Sequence, residues 1–123
     1  MTAKSHRFGK KNEKLAVGFL KRRGYRIIER NFRTRMGEVD IIAADCDTIV
    51  FVEVKARRSG RYGHPKFAIT PAKQRHLSIA ALSYLKKTGN TGARARFDVV
   101  TVRYAGDMPT VEHFQNAFEL AYG

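Results

Sequence analysis

A single cysteine, Cys46, leaves no partner for a disulfide and too few thiols for a zinc cluster, so a reducing, cytoplasmic setting is expected. No apolar run approaches the roughly 18 residues of a membrane span, and no signal-peptide core is present. Prolines number only three, and no repeat, linker or low-complexity stretch interrupts the 123 residues. That length makes one domain, 1–123, with residues 1–7 expected as a mobile tail; thirteen aromatics suffice for a core without staples.

Acids are also scarce, eleven against 24 lysines and arginines, which gives a net charge of +13. Residues 1–35 carry twelve of those cations against Glu13 and Glu29, whereas residues 98–123 carry Arg103 against four acids. A field this lopsided favours a polyanionic partner, nucleic acid above all, over a merely solvated face. A membrane surface is disfavoured because the basic stretch has no apolar stripe beyond what a core needs.

With so few acids, their positions are informative. Gly37 to Lys55 reads as a β-hairpin whose β-branched runs flank a polar break at Asp45–Thr48. Asp40, Glu53 and Lys55 interrupt those runs, where a central strand admits no charge without a partner or a task. A turn at Cys46 and Asp47 sets Asp40 opposite Glu53, Glu38 opposite Lys55, Ile42 opposite Phe51 and Ala44 opposite Ile49 on one face. The other face pairs Val39 with Val54, Ile41 with Val52 and Ala43 with Val50. Facing carboxylates repel in a bare sheet, and a bound cation reverses that sign. Asp40, Glu53 and the Val54 carbonyl form an oxygen donor set suited to Mg²⁺ or Mn²⁺. Lys55, on the same face, would neutralise charge on a phosphate under attack; in the structural reading it simply pairs with Glu38.

The remaining elements surround this hairpin. Phe8 to Arg23 has helical spacing, with Leu15, Ala16, Phe19 and Leu20 apolar and Gly24 as the stop. Tyr25 to Phe32 alternates as a strand, with Ile27 on one side and Ile28 and Arg30 on the other. Arg30, Arg33 and Arg35 then approach the Gly37 turn, as phosphate contacts or rim charges. The loop after Lys55 offers Arg57, Arg58 and Arg61 to a nucleic acid backbone and Tyr62 for stacking on a base; His64 there reads as a loop residue. Thr70-Pro71 starts a second helix that runs to about Lys87. Ala95 to Tyr104 is a strand in which Asp98 reads as structural, pairing with Arg96 or a helix end. Met108-Pro109 breaks the chain before a short strand, Thr110 to Phe114, and a short helix, Asn116 to Ala121. The order gives an α/β sandwich with a mixed sheet and a right-handed crossover.

Asp40 followed thirteen positions later by Glu53-Val54-Lys55 resembles the D, spacer, (D/E)-x-K signature of nucleases with the restriction-endonuclease-like fold. Around it, Gly37-Glu38-Val39-Asp40-Ile41-Ile42, Phe51 to Arg57, Arg96-Phe97-Asp98-Val99-Val100 and Asn116-Ala117-Phe118 resemble the bacterial YraN-like family, similar to archaeal Holliday-junction resolvases. The resemblance implies an α/β/α sandwich and a Mg²⁺-dependent endonuclease acting on DNA, in branched or single-stranded intermediates. Asp40, Glu53, Lys55 and, from the first helix, Glu13 would be its catalytic residues. Taken alone, Glu13 is an ordinary first-turn glutamate; Gly9-Lys10-Lys11-Asn12-Glu13 matches the family's G-x-x-G-E opening except at Asn12. Related nucleases also place a Lys or Gln of the second helix at the metal's edge, here Lys73 and Gln74, for which solvation is the competing reading. A homodimer is admitted as the assembly. The alternative function is a nucleic-acid-binding module that keeps the fold without catalysis.

Overall fold

The computed structural model describes residues 3–57 and 69–119, with side chains from residue 8 onward. Helix α1 (Ala3–Arg22) is followed by strands β1 (Arg26–Arg33), β2 (Glu38–Asp45) and β3 (Thr48–Arg57), helix α2 (Pro71–Lys87), and strands β4 (Arg94–Ala105) and β5 (Met108–Phe118). The five strands form one sheet in the order β1-β2-β3-β4-β5, parallel only between β3 and β4, where α2 makes the crossover. One helix packs on each face, so the molecule is the expected three-layer α/β/α sandwich.

Local sequence explains most element ends. α1 begins at Ala3, five residues before the start read from periodicity. At its other end, Gly24 adopts φ +91° while its N–H and that of Tyr25 return to the Lys21 and Leu20 carbonyls, closing the helix with a left-handed residue. α2 starts where Thr70 accepts a hydrogen bond from the Lys73 N–H (3.1 Å) and Pro71 occupies the first turn.

The two faces hold separate cores. On the α1 side, Ala16 and Leu20 meet Ile41, Ala43, Val50, Val52 and Val100; on the α2 side, Leu77, Ala81 and Tyr84 meet Val39, Ile42, Phe51, Phe97 and Val99. Val39 therefore packs against the opposite layer from Ile41 and Ala43, contrary to the single apolar face expected for β2. The switch occurs at Asp40, and across from it on β1 the residue between the Arg30↔Ile41 and Phe32↔Val39 pairs is Asn31, held at φ +55°. Ile27 packs with the α1-side core and Ile28 with the α2-side core, and a second irregularity at Ile28, between the Ile27↔Ala43 and Glu29↔Ile42 pairs, shifts the alternation of the residues that follow. Arg30 pairs with Ile41 and reaches Glu13, so it shares the face of Ile27 and not that of Ile28.

The carboxy-terminal expectation is corrected. β5 is one strand of eleven residues, with no helix from Asn116 through Phe118. A two-residue turn at Gly106 (φ +62°) and Asp107 starts it, and Pro109 fits because β5 lies at the sheet's edge. Asn116 takes φ +53° at a bulge, and the strand then resumes with Phe118 stacked on Phe97 at 4.5 Å.

Gly37 is a place where glycine is required. A Cβ there would stand 2.9 Å from the His76 carbonyl oxygen of α2, so the entrance to the hairpin lies directly on that helix. Gly37→Ala is expected to destabilise the protein by about 1–3 kcal/mol through overpacking, checked by urea unfolding; an unchanged midpoint would refute the close approach.

Candidate active site

The expected hairpin register holds from Asp45↔Thr48, across a turn at Cys46 and Asp47, as far as Ile41↔Val52. The ladder then stops, so Asp40 with Glu53, Val39 with Val54 and Glu38 with Lys55 are not strand pairs. A continued ladder would send the Val54 N–H to the Val39 carbonyl. Instead it donates to Asp40 Oδ2 at 2.8 Å. The carboxylate thus occupies the fork where β2 and β3 part. Because a strand residue's N–H and C=O point to the same side, the Val54 carbonyl faces this fork as well.

Glu53 meets Asp40 at the fork, and its carboxylate opposes the ionisation of Asp40. Only 6% of Glu53 is exposed, and two lysines bracket its Oε2, Lys55 Nζ from β3 at 3.7 Å and Lys73 Nζ from α2 at 3.6 Å. Lys55 therefore pairs with Glu53 and not with Glu38, which is taken by Arg33 at 3.3 Å. Burial, reinforced by the Glu53 carboxylate, pushes Asp40 up to about 7 against the pull of the Val54 N–H. At neutral pH without a cation, the Asp40 carboxyl is therefore protonated much of the time.

α1 supplies the third acid. Glu13 lies with Asp40, Asn12, Gly9, Phe8, Val54 and Ala56 around a cavity of about 250 Å³. Its pKa is raised by burial and by Asp40, while hydrogen bonds from Asn31 and Arg30 oppose the rise. Arg30 holds Glu13 at 3.5 Å. The departure from the family's opening at Asn12 has a local explanation. Asn12 is buried and its Oδ1 accepts from the Tyr104 hydroxyl at 2.6 Å, pinning the first half of α1 to β4.

Sequence reasoning missed Asn12 and Asn31 as residues around this site. Asn31 had one legible signal, an asparagine inside a strand-like run, since asparagine tolerates positive φ. Of the other expected contacts, Arg35 is exposed, Arg57 is partly buried, and the Gln74 amide donates to the Ile69 carbonyl at 3.0 Å, capping α2. Arg58, Arg61, Tyr62 and His64 lie outside the described residues.

Among the described residues no group of three His, Cys, Asp or Glu side chains is placed to hold a metal ion. The donor set at the fork is two carboxylates and a backbone carbonyl, all oxygen. That fits a hard divalent cation which keeps several waters, and it does not fit zinc.

Comparison with known proteins places the chain among close relatives. A model of the uncharacterised protein family UPF0102 matches residues 12–102. A UPF0102 protein of Geobacter metallireducens is 54% identical over 122 residues, covering 99% of this chain and 100% of that protein. Others from Geobacter sulfurreducens (54% identical, 93% and 90% covered) and Desulfosudis oleivorans (52% identical, 97% and 95% covered) are similar over nearly their whole lengths. Among the described residues no helix is long and apolar enough to cross a membrane. With a match spanning three-quarters of its length, this chain belongs to the uncharacterised family UPF0102, the YraN family.

Proposed function

We propose that this protein is a metal-dependent nuclease that hydrolyses DNA phosphodiester bonds. The observation that carries the reading is the fork itself, where Asp40 interrupts the β2–β3 ladder beside buried Glu53. Asp40, Glu53 and the Val54 carbonyl would hold Mg²⁺ or Mn²⁺. When bound, such an ion neutralises charge building on the phosphate and lowers the pKa of water.

The chain's own groups have separable tasks. Asp40 must lose its proton before it serves as a ligand, so the elevated pKa makes site assembly favoured as pH rises through about 7. Lys55 and Lys73 neutralise Glu53 while the site holds no cation. Released from Glu53, Lys55 has an ammonium free to donate to a phosphoryl oxygen. Arg30, Arg33 and Arg35 lie on and just beyond β1, on the approach to the hairpin entrance, where a backbone phosphate could be gripped.

Lys55→Ala is expected to lower turnover by about 10²-fold or more while leaving DNA affinity near wild type. Glu38→Gln is expected to leave turnover unchanged, since its partner is Arg33. Equal losses in both variants, read by single-turnover cleavage, would make Lys55 a structural residue.

One observation favours a second reading, a nucleic-acid-binding module without catalysis. Both lysines already neutralise Glu53, so the fork needs no cation to be electrostatically tolerable. A panel of labelled duplex, single-stranded, flapped and four-way DNA incubated with Mg²⁺, Mn²⁺ or chelator tests the proposal. Cation-dependent products are expected. Binding without cleavage of any substrate would select the second reading.

A further inference from the structure

The carboxylate fork uses one edge of α1, and the helix's outer face has had no task so far. Counting about 100° per residue from Glu13, the exposed cations Lys10, Lys21, Lys14, Lys11 and Arg22 fall within a single arc of roughly 120°. The buried positions Asn12, Ala16 and Leu20 lie on the opposite side. Glu13 is the only acid in α1 and sits outside the cationic arc.

At the centre of the arc is a glycine. Gly18 stands in the helix interior, where glycine costs about 0.5–1 kcal/mol relative to alanine. Its missing side chain leaves a shallow cavity of about 300 Å³ lined by Lys11, Lys14, Leu15, Gly18 and Arg22. A Cβ at Gly18 would lie 3.4 Å from Arg22 Nη1, so the guanidinium lies back across the glycine and closes one side of a three-cation cradle. Leu15 is the one large apolar residue there, which is too little apolar surface to embed in a lipid layer.

We infer that the outer face of α1 is a second contact for the sugar-phosphate backbone of nucleic acid, distinct from the carboxylate fork. The choice of partner rests on the nuclease reading; the surface itself rests on the arc and the cradle. From Lys11 to Arg22 the helix advances about 16 Å. One strand of a duplex presents a phosphate every 3.4 Å of axis, so the arc spans about five phosphates. Lys10 and Lys14 flank Glu13 in sequence, so a backbone followed along the arc comes to the rim of the Glu13–Asp40 cavity. The amino-terminal half of the helix thus serves both surfaces, with cations outward and the carboxylate inward.

The test is anisotropy titration of a labelled duplex over a salt series, with chelator present to prevent cleavage. Three full-length proteins are compared: wild type, Lys11→Gln/Lys14→Gln/Arg22→Gln, and a control that removes the same charge from exposed positions elsewhere, Arg75→Gln/Lys86→Gln/Arg94→Gln. Glutamine keeps helix propensity, and circular dichroism verifies folding. At about 0.9 per lost phosphate contact, the α1 variant's log–log salt slope should flatten by roughly 2.7, while the control stays near wild type. Equal losses in both variants, or an unchanged slope in the α1 variant, would overturn the inference while leaving the nuclease reading intact. Wild-type protein that binds phosphatidylserine vesicles but no duplex would overturn it too. Absence of products in the Mg²⁺ and Mn²⁺ substrate panel, with duplex binding in the titration lost only in the α1 variant, would overturn the nuclease reading and leave this surface in place.

Discussion

Asp40→Asn and Glu53→Gln are each expected to reduce cleavage by about 10³-fold or more while leaving the fold and DNA affinity in place. Each removes a formal charge from the fork and nearly preserves shape. Asparagine can still accept the Val54 N–H through its amide oxygen, so the fork geometry survives in Asp40→Asn. The accompanying stability change has the opposite sign. Asp40's folded pKa lies near 7, above its ordinary value of 3.8, so its stabilising proton is fully held below about 4. That contribution is lost as pH rises through 7, where two neighbouring carboxylates must both ionise. Asp40→Asn removes this loss. Metal-free Asp40→Asn should therefore be more stable than wild type above pH 7, with a flatter pH profile, by chemical denaturation. Full cleavage by either purified variant would contradict the assigned roles, as would lower metal-free stability of Asp40→Asn at high pH.

Asp98→Ala is expected to cost about 3–5 kcal/mol, a large fraction of the 5–15 kcal/mol that holds a domain together. Asp98 is fully buried on the α1 side, away from the fork. Burial alone would raise its pKa. Hydrogen bonds from His113 and Arg96 and from the Asn116 N–H outweigh burial and hold the carboxyl below its ordinary range. His113 Nε2 stands 2.7 Å from Oδ2, Arg96 Nε 2.9 Å from Oδ1, and Asn116 N 3.0 Å from the same oxygen. Arg96 extends the network to Asp45 at 3.1 Å and to the Tyr25 hydroxyl, which also accepts from Gln115. One carboxylate thus ties the edge strand β5 and the start of β1 to β4. Its removal leaves a mostly buried guanidinium and a buried imidazole without their main acceptor. Because the folded pKa is depressed, this stabilisation is present above about pH 4 and lost as pH falls through the folded value. Urea unfolding at neutral pH reads the effect, and a loss under about 1 kcal/mol would show that the network is dispensable.

The parts of this structure legible in the sequence were those with local signals. Thr70-Pro71 announces α2 through a cap and a proline, and the turn at Cys46 and Asp47 fixes a register that its apolar runs confirm. Arg96 as the partner of Asp98 is legible too, because two residues along a strand share a face. What was not legible depended on distant chain. β2 changes layers at Asp40 where Asn31 of β1 stands opposite, and nothing between residues 37 and 55 encodes that. An uninterrupted ladder would match Lys55 with Glu38, but the Asp40 carboxylate ends that ladder and Lys55 turns to Glu53. The stretch after Asn116 looked helical in isolation, whereas pairing with β4 and the Phe97–Phe118 stack hold it extended. Asn12 finds Tyr104 across 92 residues of chain, a partnership invisible to any windowed pattern.

The central claim is that the Asp40–Glu53 fork is a cation site, and calorimetric titration of Mn²⁺ into metal-free protein tests it most directly. Wild type should show one site whose affinity rises as pH passes the Asp40 value of about 7, with proton release on binding below that pH. The Asp40→Asn variant should show none. Mn²⁺ binding of equal affinity in the variant, or no binding by wild type on either side of pH 7, would contradict the account.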